Sequence, residues 1–237
     1  MDFIGIEKNS LIEWPGKIVA VAYTRGCNFR CPFCQNRDLV LHPQNLSSFS
    51  EEKVLEHLDN REKWLDGAVV TGGEPMIHEE LPEFAAKVKN RGFGFGVETN
   101  GTRPEMIEEL LEEGLVDYIA MDIKAPLEWE KYRKAAGIED KNLLRKIKKS
   151  IEILKNSNTE HEYRTTVVPT ILDENDIFEI AQYIEGERNY YLQQFVPENT
   201  LDKSYENVNP YSDEKMKEIG KKINENFGFK NCKVRNI

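Results

Sequence analysis

Apolar and β-branched runs alternate with amphipathic stretches along the whole of this chain. IVAVAYTRG (Ile18 to Gly26) is a continuous apolar run closed by polar residues and glycine, the pattern of a strand covered on both faces. GAVVTGGEP (Gly67 to Pro75), GFGFGVETNG (Gly92 to Gly101), VDYIAMDIK (Val116 to Lys124), HEYRTTVVP (His161 to Pro169) and NYYLQQFVP (Asn189 to Pro197) repeat it. The stretches between them have helical spacing. One begins near Glu51 with Ser50 as its cap and two acids in its first turn, and LPEFAAKVKNRG ends at Gly92. Thr102 and Glu105 read as a capping box for a helix that carries Ile107, Leu110 and Leu111 and stops at Gly114. Further helices place Leu143, Leu144, Ile147, Ile151 and Leu154 on one face, run from an Asp173 cap to Gly186, and cover about Ser212 to Asn226 before a short KNCKVR tail.

Six consecutive β-then-α units predict a parallel sheet, because each crossover returns the chain to the same end. Six is fewer than the eight of a closed barrel, so the expected fold is α/β, a partial, open (β/α)6 TIM-type barrel with parallel strands. No linker interrupts the pattern, and one domain over residues 1–237 is expected, with residues 1–17 packing on the barrel and residues 26–36 forming a loop after the first strand. Chemistry in such folds gathers at the carboxyl ends of the strands, where GGEP, ETNG and DIK also fall.

Composition narrows the setting. Of the 237 residues, 39% are apolar, and no apolar run approaches the roughly 20 residues of a membrane span. Met1 to Leu11 lacks the features of a signal peptide, so a cytoplasmic protein is expected. A net charge of -10 argues against sequence-independent binding of nucleic acid, which needs lysine and arginine against phosphate. In a reducing compartment clustered cysteines read as metal-binding or catalytic before they read as disulfides.

Three of the four cysteines, Cys27, Cys31 and Cys34, stand in C-x3-C-x2-C spacing. Soft thiolates suit an iron-sulfur cluster or zinc. A structural zinc takes four ligands, for which His42 or His78 would have to be recruited. Three thiolates on a four-iron cluster would leave one iron open to a substrate or cofactor. Cys232 stands apart and reads as a small buried side chain. Trp14, Trp64 and Trp129 read as packing residues, and His57 and His161 carry no site signal.

The cysteine spacing, with Phe33 just before the last cysteine, resembles the radical S-adenosylmethionine superfamily. Gly72-Gly73-Glu74-Pro75 is similar to that family's second motif. LIEWPGK, YTRGCNFRCPFCQN, TGGEP, ETNG, MDIKAP, YRTTVVP and YLQQFVP together resemble the activating proteins of glycyl-radical enzymes, of the anaerobic ribonucleoside-triphosphate reductase type and related to pyruvate formate-lyase activating enzyme. The resemblance implies that Cys27, Cys31 and Cys34 bind a [4Fe-4S] cluster whose open iron is chelated by S-adenosylmethionine. It implies that Phe33, Gly72, Gly73, Glu74, Thr99, Asn100, Asp122, Lys124, Arg164 and Gln194 shape the cofactor site. Glu74 offers a carboxylate to an ammonium, and glycines let backbone approach a ligand closely. In some relatives acids at two of these strand ends hold a monovalent cation, which makes Glu98 and Asp122 candidates. Arg25 and Gln35 stand where relatives often carry Gln and His, a departure that bears on the electron donor or the substrate.

The same resemblance implies an oxidoreductase whose hard chemistry belongs to its cofactors rather than to catalytic side chains. A one-electron donor such as ferredoxin or flavodoxin would reduce the cluster, S-adenosylmethionine would be cleaved to a 5′-deoxyadenosyl radical, and the radical would take hydrogen from a backbone glycine of the partner reductase. Neither nucleic acid nor membrane is expected as a partner. The competing readings are a small-molecule radical S-adenosylmethionine enzyme similar to 7-carboxy-7-deazaguanine synthase, and a zinc-binding interaction module without catalysis.

Overall fold

The computed structural model describes residues 1–187, 189–229 and 231–236. Among the described residues the strands are β1 (Asp2–Phe3), β2 (Gly5–Ser10), β3 (Val19–Thr24), β4 (Phe49–Ser50), β5 (Gly67–Gly72), β6 (Gly94–Thr99), β7 (Tyr118–Asp122), β8 (Glu160–Val167), β9 (Asn189–Gln194) and β10 (Asn231–Arg235). The α-helices are α1 (Arg37–Leu41), α2 (Glu51–Asp59), α3 (Leu81–Lys89), α4 (Pro104–Glu112), α5 (Trp129–Ala136), α6 (Lys141–Lys155), α7 (Glu174–Tyr183) and α8 (Asp213–Phe227). One sheet runs β10-β9-β8-β7-β6-β5-β3-β2, and β1 pairs with β4 separately. Its six inner strands are parallel, as the βα pattern predicts, and β2 and β10 stay unpaired to each other among the described residues, so the barrel is open.

Both edge strands go beyond the sequence reading. GIEKNS pairs antiparallel with β3, and NCKVR, read as a tail, pairs parallel with β9. Lys230 of that tail lies outside the described residues. Two local expectations are also corrected. Thr102 does not cap a helix: its amide and hydroxyl both donate to the Asn100 side-chain oxygen, and α4 starts at Pro104 after Arg103. Ser50 occupies the cap position of α2, but its hydroxyl makes no cap hydrogen bond. Asp173 does form a capping box with Asp176 at α7.

Period-two alternation sorts the strand residues between two cores. Ala20, Ala22, Ala68, Val70, Phe95, Val97, Ile119 and Met121 face the helices in the main core. Val19, Val21, Val69, Tyr118 and Ala120 face inward, around Trp14. Trp14 plugs the bottom of the barrel, stacked on Tyr118 with ring centroids 5.2 Å apart, and such pairs are worth about 0.5–1.5 kcal/mol beyond the area they bury. Gly94 and Gly96 leave the room it needs: a Cβ on either would lie 3.0 Å or 3.3 Å from the indole. Trp64, by contrast, is 75% exposed and packs nothing. Cys232 is buried in the main core.

Candidate active site

The carboxyl ends of the parallel strands carry the residues singled out in the sequence. The cysteine loop leaves β3 at Gly26 and is stitched to the end of β5: Gly73 donates to the Thr24 carbonyl at 3.1 Å and Glu74 to the Gly26 carbonyl at 2.9 Å. A Cβ on Gly73 would be driven into that Gly26 carbonyl, so only glycine permits this approach. Glu74 is almost wholly buried. Its Oε1 accepts from the Met76 amide at 3.0 Å and the Thr99 hydroxyl at 2.7 Å, and its Oε2 from the Asn100 amide at 2.6 Å. The side chain thus ties the β5 turn to the end of β6, and burial pushes its carboxyl up to about 7.

Asn100 donates to the Asn28 side chain at 2.8 Å and points its amide at the Cys27 sulfur from 3.9 Å, while the Phe29 amide donates to the same sulfur at 3.3 Å. All four cysteines are free. Burial pushes the Cys27 thiol up to about 11 and the Cys31 thiol to about 12, and raises Cys34 as well. These thiols hold their protons until a metal displaces them. Lys124 is buried beside them; burial opposes its charge, but Asp122 at 2.7 Å together with Cys31 and Cys34 outweighs it and holds the ammonium above the usual lysine range.

Beneath this layer lies a second one built from charge. Arg164 on β8 is 4% exposed and pairs with Glu98 of β6, with Glu162 at 2.5 Å and with Glu13 at 3.4 Å; it also donates to the Glu13 carbonyl and the Tyr118 hydroxyl. Arg235 of β10 pairs with Glu162 at 2.6 Å and lies over the Tyr191 ring at 3.5 Å. Burial opposes ionisation of Glu98, but Arg164, Glu13 and the Thr71 hydroxyl outweigh it and hold its carboxyl below the usual range. Glu13 takes the complementary state. Burial and the neighbouring Glu98 push it up to about 8, so the two carboxyls share a proton at neutral pH.

A pH effect on stability arises from Glu13. Between about pH 4.5 and 8 the folded chain keeps a proton that the unfolded chain releases, so stability falls as pH rises through that window. Glu13→Gln, a neutral side chain that still donates to Glu98, removes this slope. Denaturant unfolding at pH 5 and pH 8 should find the variant close to the parent at the lower pH and more stable than it at the higher.

Cys27, Cys31, Cys34, Gly72, Gly73, Glu74, Glu98, Thr99, Asn100, Asp122, Lys124 and Arg164 all line one cleft of about 740 Å³, counted to its open mouth. Phe33 and Gln194 fall outside it. They line an adjoining compartment of about 670 Å³ that shares Cys31, Cys34, Asn36, Lys124 and Gln193 with the first. Glu98 and Asp122 each already face a cation of the chain itself, Arg164 and Lys124. Sequence reasoning missed Phe29, Asn36, Val40, Thr71 and Gln193 on the cleft wall, and Glu13, Glu162 and Arg235 below it. Glu162 had a signal, since it stands two residues before Arg164 on one strand and therefore on the same face.

Among the described residues no group of three or more His, Cys, Asp or Glu is placed to hold a single metal ion. The three thiols instead line one common cleft, a donor set suited to a multi-iron cluster rather than to a single ion. The family model of the radical SAM superfamily matches residues 21–184. The chain belongs to the radical SAM superfamily. A Methanocaldococcus jannaschii protein provisionally named a glycyl-radical enzyme activating enzyme is 35% identical over 223 residues, covering 92% of this chain and 89% of that protein. The 7-carboxy-7-deazaguanine synthase of Aquifex aeolicus is 42% identical over 81 residues, 33% of this chain and 34% of its own. A radical SAM methyltransferase from Sphaerobacter thermophilus shares the fold with a TM-score of 0.71 at 16% identity, covering 94% of this chain and 67% of that one.

As a radical SAM enzyme the protein uses a [4Fe-4S] cluster and S-adenosylmethionine. The site fits both: three soft donors face one cleft, with N–H groups aimed at the Cys27 sulfur, and a second compartment adjoins it. No helix among the described residues is long and apolar enough to cross a membrane.

Proposed function

We propose that this radical SAM enzyme generates a glycyl radical on a partner enzyme of the anaerobic ribonucleoside-triphosphate reductase class. The observation that carries the activating-enzyme reading is the match to a relative so named, which runs nearly end to end in both chains at 35% identity, while the reductase class rests on the MDIKAP, YRTTVVP and YLQQFVP resemblance. The similarity to the deazaguanine synthase spans a third of each chain and supports less.

Cys27, Cys31 and Cys34 would hold the cluster. With S-adenosylmethionine bound, the pair supplies a 5′-deoxyadenosyl radical able to abstract hydrogen from an unactivated carbon. The chain's own residues select and orient. Lys124, charged and buried on the cleft wall, would face the carboxylate of the methionine moiety, and the Gly72–Gly73 backbone with Glu74 would face its ammonium. Glu74 and Thr99 act chiefly as a brace, because both Glu74 oxygens already accept hydrogen bonds from β6 and the β5 turn. Arg164 supports the site from below through Glu98 rather than by a free guanidinium. The adjoining compartment, walled by Phe33 and Phe195, suits the adenine ring, and Gln194 Oε1, with no partner among the described residues, suits its amino group.

The test is direct. Reduced, reconstituted protein is mixed with S-adenosylmethionine and the candidate reductase, and an electron paramagnetic resonance spectrum is recorded. A glycyl doublet on the reductase is expected; deoxyadenosine formed without the doublet would count against that partner.

A further inference from the structure

The loop carrying the three cysteines rests on more than its own strand. Its middle sits against the far end of α5, where the chain turns into α6. The Arg30 amide donates to the Ala136 carbonyl at 2.9 Å, and the Cys31 sulfur lies 3.8 Å from the same oxygen. Gly137 then closes α5 in the left-handed region, at φ +62°. A Cβ on this glycine would be driven into the Arg30 carbonyl oxygen and would lie 3.0 Å from the Arg30 side chain. Arg30 also folds back over the loop, donating to the carbonyls of Cys27 at 2.6 Å and Phe29 at 2.7 Å. Phe29 in turn packs edge-on to Tyr132 of α5, whose hydroxyl accepts from the Lys124 amide at 3.4 Å.

We infer that the Ala136–Gly137 end of α5 is a positioning element for the cysteine loop: the bare Cα at 137 lets Arg30 seat on the helix end, and that seat sets where Cys31 presents its sulfur. The inference rests on the reading of Cys27, Cys31 and Cys34 as cluster ligands. A second consequence is electrostatic. A carbonyl and a helix C-terminus beside Cys31 disfavour added negative charge, so the seat makes the bound cluster harder to reduce, and its loss makes reduction easier.

Gly114 provides the matched control. It has φ +64° after α4, ahead of β7 at the opposite end of the barrel, and a Cβ there meets nothing within 4 Å. Gly137→Ala and Gly114→Ala therefore impose similar backbone strain, but only the first pushes on the loop. Both proteins are reconstituted anaerobically, and the rate at which an iron chelator strips the cluster, its midpoint potential and its reduced resonance spectrum are measured. Gly137→Ala should lose iron about tenfold faster than the parent, as loss of outer contacts to a metal site does, with a more positive potential and an altered spectrum. Gly114→Ala should match the parent. Equal rates and potentials in the two variants would overturn the inference, whereas a parent chain that takes up no cluster would refute the ligand assignment instead. If Gly137→Ala does not fold, hydrogen exchange at the Arg30 amide of the parent chain replaces it, since that amide is the donor to Ala136. Strong protection is then expected, and exchange as fast as that of an unbonded exposed loop amide would overturn the inference.

Discussion

Cys31→Ala yields a folded chain that takes up no complete [4Fe-4S] cluster and produces no 5′-deoxyadenosine above background. Iron and sulfide analysis after anaerobic reconstitution, with chromatography of the nucleoside formed under a strong reductant, measures both. Cys31 is buried with its sulfur on the wall of the cleft, so the substitution removes a donor that no nearby group can replace. The loss should exceed the roughly 10–100-fold that outer-shell changes cause at metal sites. Stability of the apo chain should change much less, within the about 0.5–3 kcal/mol of most substitutions. Cys232→Ala is the internal comparison: it lies in β10, away from the cleft lining, and should keep both cluster and cleavage. Retained cleavage in Cys31→Ala would remove Cys31 from the ligand set.

The second large effect is on stability. Arg164→Met removes the cation paired with Glu98 and Glu13, while Glu162 keeps Arg235. Breaking a buried ion pair by removing one partner costs about 3–5 kcal/mol, because the remaining charge stays desolvated. Glu98 can escape part of that cost by taking up a proton, which raises its carboxyl above the unfolded value. The variant's deficit should therefore be smallest at low pH and grow as pH rises toward neutrality. Arg164→Lys should rescue only in part, since an ammonium cannot reach three carboxylates in the geometry of a guanidinium fork. Denaturant midpoints for the three proteins at pH 5 and pH 7.5 decide it, and a pH-independent deficit would mean the buried carboxyls do not titrate as described.

Much of this architecture was legible in the residues. The six inner strands are buried on both faces, so their β-branched runs stand out, and the cysteine, GGEP, ETNG and DIK motifs fall at their carboxyl ends in the sequence as in space. The edge strands were not legible, because GIEKNS and NCKVR carry charges at mostly exposed positions and are recognisable only by their ladders. The charged layer was hidden for another reason. Glu13 meets Arg164 across 151 residues, a separation no local pattern encodes. The Gly137 seat was equally hidden, since a glycine after a helix reads as an ordinary cap until the carbonyl opposite it is seen.

The charged layer also changes what it means for this barrel to be open. Glu13 leaves the connection after β2, Arg235 ends β10, and both converge on the Glu162–Arg164 pair of β8. The two margins of the sheet, which share no ladder among the described residues, are thus laced together by side chains. A backbone ladder is indifferent to proton concentration, but this lacing contains a carboxyl that titrates near neutrality. The gap in the wall is a fastening with its own chemistry, and loosening it would slacken the floor on which the cofactors stand.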